Sequence, residues 1–285
     1  MEETNQIKMP DGARRNKPDF TVYICYFVFA LIIGAALAIV HTVILFKYYD
    51  TSAFLFETGA GKITTPFYIV AFIVVVSFFS IFITARKINT KQLDLPKMTS
   101  PLMFVSAMCG FMMLASLLLG FIYPSQTATA TQLAGIFSVL LKVFSIPAAL
   151  YFFSLLFTSE GSYAAKTVLG FFPILWCILN LMCIYFDQST PINNPIRVLS
   201  QVVMIAVMAY FLLEQRFRIG KPAAKAYFVF ANIAVFLIVM TIIPEIVLTF
   251  SGKWQASSET AALLSQICFG LYISARLLSF KRSAE

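Results

Sequence analysis

An all-α fold, a polytopic transmembrane helical bundle of about eight spans with N- and C-termini cytoplasmic, is what this 285-residue chain predicts. Three observations predict it. The composition is 60% hydrophobic with 30 Phe, apolar runs long enough to cross a bilayer recur along the chain, and the basic residues gather on one side of those runs.

Only 12% of the residues are charged, about half the share found in soluble domains, and the mean hydropathy is +0.84. This excludes an ordinary soluble fold. A run of about 20 apolar residues crosses a hydrocarbon core roughly 30 Å thick at 1.5 Å per residue. A lipid-exposed backbone must satisfy its own hydrogen bonds, and the runs lack the alternation of barrel strands, so each is read as a helix.

The spans fall at 20–46, 66–85, 101–123, 133–157, 167–186, 196–213, 226–250 and 260–280. The first is too long for the apolar region of a cleaved signal peptide and is expected to remain as an anchor; Gly34 and Ala38 sit in it at helical spacing. The second lies between a connection at 48–65 and a basic one at 86–100. The third holds two further small-residue pairs, Ser106 with Gly110 and Ser116 with Gly120. Small pairs of this kind let helix backbones approach closely. The fourth contains Lys142 and Pro147, and the fifth Pro173. The sixth is the shortest, opens on Arg197 and is followed by the basic connection 214–226. Without it the count is odd and the termini fall on opposite sides. The seventh contains Pro244, and the eighth pairs Gly270 with Ser274. A polar tail at 1–19, expected to be disordered, and a short tail at 281–285 flank a single membrane domain at 20–280. No connection is long enough for a soluble domain of at least roughly 50 residues, which excludes a fused ATPase, kinase or nucleic-acid-binding module.

Net charge is +8 with 21 Lys and Arg. With the N-terminus inside, the outer face keeps Lys47, Lys62, Arg197 and Lys253, Lys142 lies within a span, and the remaining sixteen are cytoplasmic. That bias follows the positive-inside rule, so the charge is topological and offers a contact for anionic lipid headgroups rather than for nucleic acid. All five cysteines fall inside spans, so no disulfide framework is expected. Short loops, charge bias and the lack of an N-x-[ST] sequon place the protein in a bacterial cytoplasmic membrane.

Catalytic and cofactor signatures are missing. With one histidine, HExxH is impossible; GxSxG does not occur; and Gly59 to Thr64 lacks the glycine and the Lys-Ser/Thr of a phosphate loop. No cofactor or metal is expected. The informative residues are ionisable groups within the hydrocarbon, which are costly and read as functional by default. Lys142 lies roughly 15 Å deep, with Ser138 and Ser145 on its helix face. Glu245 directly follows Pro244, and a buried carboxylate needs a partner, for which Lys142 is the candidate. His41, Asn180, Gln201 and Gln266 lie near the outer ends of four other spans and, with Glu245, are expected to surround a polar cavity opening outward. Arg276, near the inner end of the last span, is expected to snorkel to lipid phosphates.

These residues point first to a transporter or permease-like protein with an intramembrane site for a small solute or proton. The alternative is a non-catalytic subunit or sensor that meets a partner protein, or a second copy, with Arg216, Arg218, Lys221 and Lys225 as its docking surface. An intramembrane lipid-modifying enzyme is third, because no nucleophile accompanies His41 or Glu245.

Overall fold

A computed structural model describes residues 21–50, 55–57, 59–84, 95–122, 132–157, 163–186, 191–252 and 258–284. The tail expected at 1–19 lies outside the described residues. The helices, in chain order, are α1 (Thr21–Tyr48), α2 (Gly61–Ser77), a 3-10 turn (Phe78–Ser80), α3 (Ile81–Thr84), α4 (Ser100–Ile122), α5 (Gln132–Ser154), α6 (Tyr163–Leu169), α7 (Phe171–Phe186), α8 (Pro195–Arg218), α9 (Ala224–Phe250) and α10 (Ser258–Ala284). A two-residue antiparallel pair, β1 (Tyr49–Asp50) with β2 (Leu55–Phe56), follows α1. Among the described residues, eight helical stretches, with α2 and α3 counted as one span and α6 and α7 as another, are long and apolar enough to cross a membrane. The protein is a polytopic integral membrane protein.

The expected spans all have a counterpart, and the largest revision is the sixth. α8 runs a full 24 residues to Arg218. Pro195 at its first turn and Asn194 as its cap start it; the Asn194 side chain accepts from Ile196 N at 2.9 Å. The charged run after residue 213 therefore belongs to the helix, not to a connection. α10 likewise continues through Ala284, into the stretch expected as a tail. The fifth span is interrupted at Gly170, one turn before Pro173, whose missing N–H leaves the Leu169 carbonyl without its helical donor.

Six helices close a circuit of contacts: α10 packs on α4, α4 on α5, α5 on α7, α7 on α8, α8 on α9, and α9 back on α10. α1 lies outside this ring against α9, and the second span touches α1 and α9. Glycine permits a close approach to α9 from α1 and from α10. A Cβ on Gly34 would meet Val239 at 3.3 Å, and one on Gly270 would meet Ile238 at 3.0 Å. These two glycines belong to small-residue pairs legible in the sequence. On the outside, α4 presents Phe104, Phe111 and Leu118, each over 60% exposed and seven residues apart. Such a continuous apolar stripe is unstable in water and suits lipid. All five cysteines are free.

Successive spans run in opposite directions, so the ring has two ends. The end where α5, α8 and α10 finish and α4, α7 and α9 approach from the sequence side of 96–100, 163–170 and 224 carries most of the basic residues among the described ones, and is called the basic end below.

Candidate functional site in the ring interior

The interior is read from helix faces. On α10, Gln266, Phe269, Tyr272 and Arg276 recur at three- and four-residue intervals and are all buried. On α8, Val207, Phe211, Glu214 and Arg218 do the same. Contacts between these side chains and α5 and α7 reach across the ring, so they fill its centre.

Glu214 is the hub at the basic end. It is fully buried, and its Oε1 accepts from Tyr272 Oη at 2.8 Å, from Arg218 Nη2 and Arg276 Nη2 at 3.3 Å each, and from Tyr151 Oη at 3.4 Å. Three helices thus converge on one oxygen. Arg218 is one helical turn beyond Glu214, the spacing that brings such pairs together, and it stands in the last turn of α8, where the helix dipole favours a cation. Its Nη2 also donates to Tyr151 Oη at 3.2 Å, and its guanidinium lies over that ring at 5.5 Å. Arg276, 2% exposed, directs Nη1 to the carbonyl of Pro96 at 3.1 Å. The cluster therefore ties the connection before α4 to α5, α8 and α10. A further phenol pair, Tyr210 with Tyr227, sits at 2.9 Å between α8 and α9. Among the described residues, Glu214 Oε2 and Arg276 Nε are buried without a hydrogen-bond partner. Buried charges persist in hydrocarbon when paired and hydrogen-bonded. This cluster is paired on one carboxylate oxygen, while Glu214 Oε2 and Arg276 Nε meet no hydrogen-bond partner among the described residues.

Above the charges lies an aromatic layer. Phe152 of α5 packs on Phe211 of α8 at 6.0 Å and on Phe269 of α10 at 5.7 Å; Phe211 and Phe269 meet at 5.5 Å; and Trp176 of α7 meets Phe269 at 5.5 Å. Edge and stacked geometries at these separations are the favourable ones for aromatic pairs. Beyond this layer, toward the opposite end, polar groups return. Trp176 Nε1 donates to Ser145 Oγ at 3.0 Å, Asn180 Nδ2 lies 3.1 Å from Met204 Sδ, and Gln266 is buried with Oε1 unpartnered among the described residues.

The structure distributes the sequence-derived residues over several places. Ser145, Asn180 and Gln266 are in or beside the ring interior, whereas Ser138 and Gln201 are half-exposed. Lys142 is also half-exposed, with its ammonium 4.9 Å from the Phe121 ring centre, and it does not pair with Glu245. The physical reason is packing: α5 neighbours α4, α6 and α7, while α9 neighbours α1, α8 and α10. Lys142 instead lies along α4, its Cε close to Gly120 and its ammonium over the Phe121 ring. Glu245, 8% exposed, and His41, fully buried, lie on α9 and α1, where α1 packs outside the ring. His41 therefore sits at the α1–α9 seam outside the ring, while Asn180 and Gln266 are in or beside its interior. Of the residues expected on a docking surface, Arg216 and Lys221 are exposed, Lys225 donates to Phe82 O at 3.3 Å, and Arg218 is turned inward. Arg276 is also turned inward, onto Glu214, rather than outward to phosphates.

Glu214 was missed because the sixth span was ended one residue before it. The signal that would have found it is the Glu214/Arg218 spacing, read as a continuation of the helix. Nothing in the sequence marks Tyr151, Tyr272 and Arg276 as its partners. No family model matches the chain, and the comparisons with curated proteins and solved structures found no match.

Proposed function

We propose that the chain is a permease-like transporter in which the six-helix ring is the pathway, the Glu214 cluster the polar site, and the aromatic layer the closed constriction between that site and the opposite end. One observation carries the reading: a fully buried, charged cluster in a ring interior, with Glu214 Oε2 and Arg276 Nε still open. An unpartnered acceptor and an unpartnered donor in one buried cluster are each costly when desolvated, and a bound polar group would meet both. A small solute bearing both a donor and an acceptor, or a hydrated proton, matches the pair. Movement through the ring then requires Phe152, Phe211 and Phe269 to part and the Arg276 contact with Pro96 to release.

The basic end is assigned to the cytoplasm by the positive-inside rule, with anionic headgroups around it, and the membrane to a bacterial cell. The test is uptake of a panel of labelled amino acids, carboxylates and amines into proteoliposomes containing the purified protein. Uptake of at least one class is expected, together with its loss in Glu214→Gln and Arg276→Gln. Uptake no better than in protein-free vesicles across the panel, or wild-type uptake in both variants, overturns the proposal. A second reading, a non-catalytic subunit, is favoured by the exposed Arg216 and Lys221 next to the turn at Gly220. Charge reversal at those two positions, with loss of a stoichiometric co-purifying chain, tests it.

A further inference from the structure

α9 is a continuous helix that carries Pro244 within its length, so only its hydrogen-bond ladder is interrupted there. Pro244 has no backbone N–H, so the carbonyl of Met240, four residues earlier, lacks the donor that an unbroken helix supplies. In hydrocarbon no water stands in for that donor, and a neighbouring helix must provide it. The only histidine of the chain does so. His41 of α1 places Nδ1 3.1 Å from Met240 O. A carbonyl can only accept, so Nδ1 carries the proton and the imidazole is the donor. The ring is fully buried, stacks on Phe67 of α2 at 5.1 Å and meets Tyr68 edge-on at 6.4 Å. Nε2 has no hydrogen-bond partner among the described residues, so the ring is held by one hydrogen bond and by its faces. α2 buries only Thr64, Phe67, Ala71 and Val74, which makes Phe67 on the imidazole a large share of its attachment.

We infer that His41 is a positioning residue that completes α9 at its proline interruption, and in doing so clasps α1 and α2 to the six-helix ring and sets the angle of the segment 245–250. This rests on the Met240–His41 geometry and is independent of the transport proposal. It also gives Glu245 its context, as the first residue beyond the interruption that His41 governs.

A double-mutant cycle separates this role from simple packing. His41→Phe keeps an aromatic ring and deletes the donor, while Pro244→Ala returns an N–H to the Met240 carbonyl. In detergent micelles, His41→Phe is expected to lower the apparent melting temperature by about 2–4 °C in the wild-type background and by less than half of that in the Pro244→Ala background. His41→Asn, whose amide still donates, recovers part of the loss. Hydrogen exchange of the peptide covering 241–250 is expected to quicken about fivefold in His41→Phe and to return toward wild type in the double variant. Equal shifts in both backgrounds, or unchanged exchange in His41→Phe, overturn the inference. If His41→Phe alone does not fold, recovery of folded protein in the Pro244→Ala background supports it, and failure to recover overturns it.

Discussion

Glu214→Gln keeps the side-chain volume and removes the charge that two guanidiniums share. Both lie 3.3 Å from Oε1, and the three groups are 0%, 8% and 2% exposed for Glu214, Arg218 and Arg276, so neither water nor salt screens them effectively. Removing one partner of a buried ion pair costs about 3–5 kcal/mol, because the remaining charge stays buried. Here the glutamine carbonyl still accepts from Tyr272, now 2.8 Å from Oε1, which retains about 1 kcal/mol. The expected loss is therefore at the lower end, about 3 kcal/mol. The assay is reversible unfolding in mixed micelles by denaturant titration, followed by tryptophan fluorescence, since Trp176 sits on the aromatic layer directly above the cluster. A second variant checks the cause. Glu214→Gln with Arg276→Met removes one stranded charge and is expected to be more stable than Glu214→Gln alone. A single variant within about 1 kcal/mol of wild type, or a double variant no more stable than the single, refutes the reading of Glu214 as the ionised hub.

Three further outcomes follow from particular contacts. Gly170→Ala drives a Cβ into the side-chain amide of Gln215, which is 1% exposed; a loss of about 1–3 kcal/mol is expected, largely recovered in Gly170→Ala with Gln215→Ala, as measured by the same unfolding titration. Ser145→Ala strips the acceptor from Trp176 Nε1, 3.0 Å away in a buried site, and is expected to cost about 1–3 kcal/mol, whereas Ser138→Ala on the half-exposed face is expected to be neutral. Lys142→Met removes a cation lying 4.9 Å over Phe121 and is expected to cost less than about 1 kcal/mol, with proteoliposome uptake unchanged; loss of uptake would restore Lys142 to the pathway.

The membrane character and number of the spans were legible because they depend on a local property, the length of an apolar run against the thickness of a bilayer. Gly34 and Gly270 were legible as close-packing positions for a similar reason: a missing side chain is visible wherever it occurs. The site was only partly legible. Lys142 and Glu245 stood out because each interrupts an apolar run, but isolation in the sequence does not say which neighbour a side chain meets. Glu214, Arg218 and Arg276 lay close to apparent span ends, where charge is ordinary, so their burial was hidden. Ser145, Asn180 and Gln266 were picked out as polar residues in apolar surroundings, and the helix rotations that turn them inward came only with the packing.

By itself the sequence determined that this is a helical membrane protein of about eight spans, with basic residues concentrated in alternate connections between its apolar runs. Hydropathy and charge act residue by residue, and both are summed along a helix without reference to its neighbours. Tertiary structure decided that six of the helices close a ring, that one carboxylate oxygen gathers two arginines and two tyrosines from three helices, and that His41 answers the carbonyl orphaned by Pro244. Those outcomes depend on which helix faces meet, a relation between residues as far apart as 41 and 240 that no local pattern encodes.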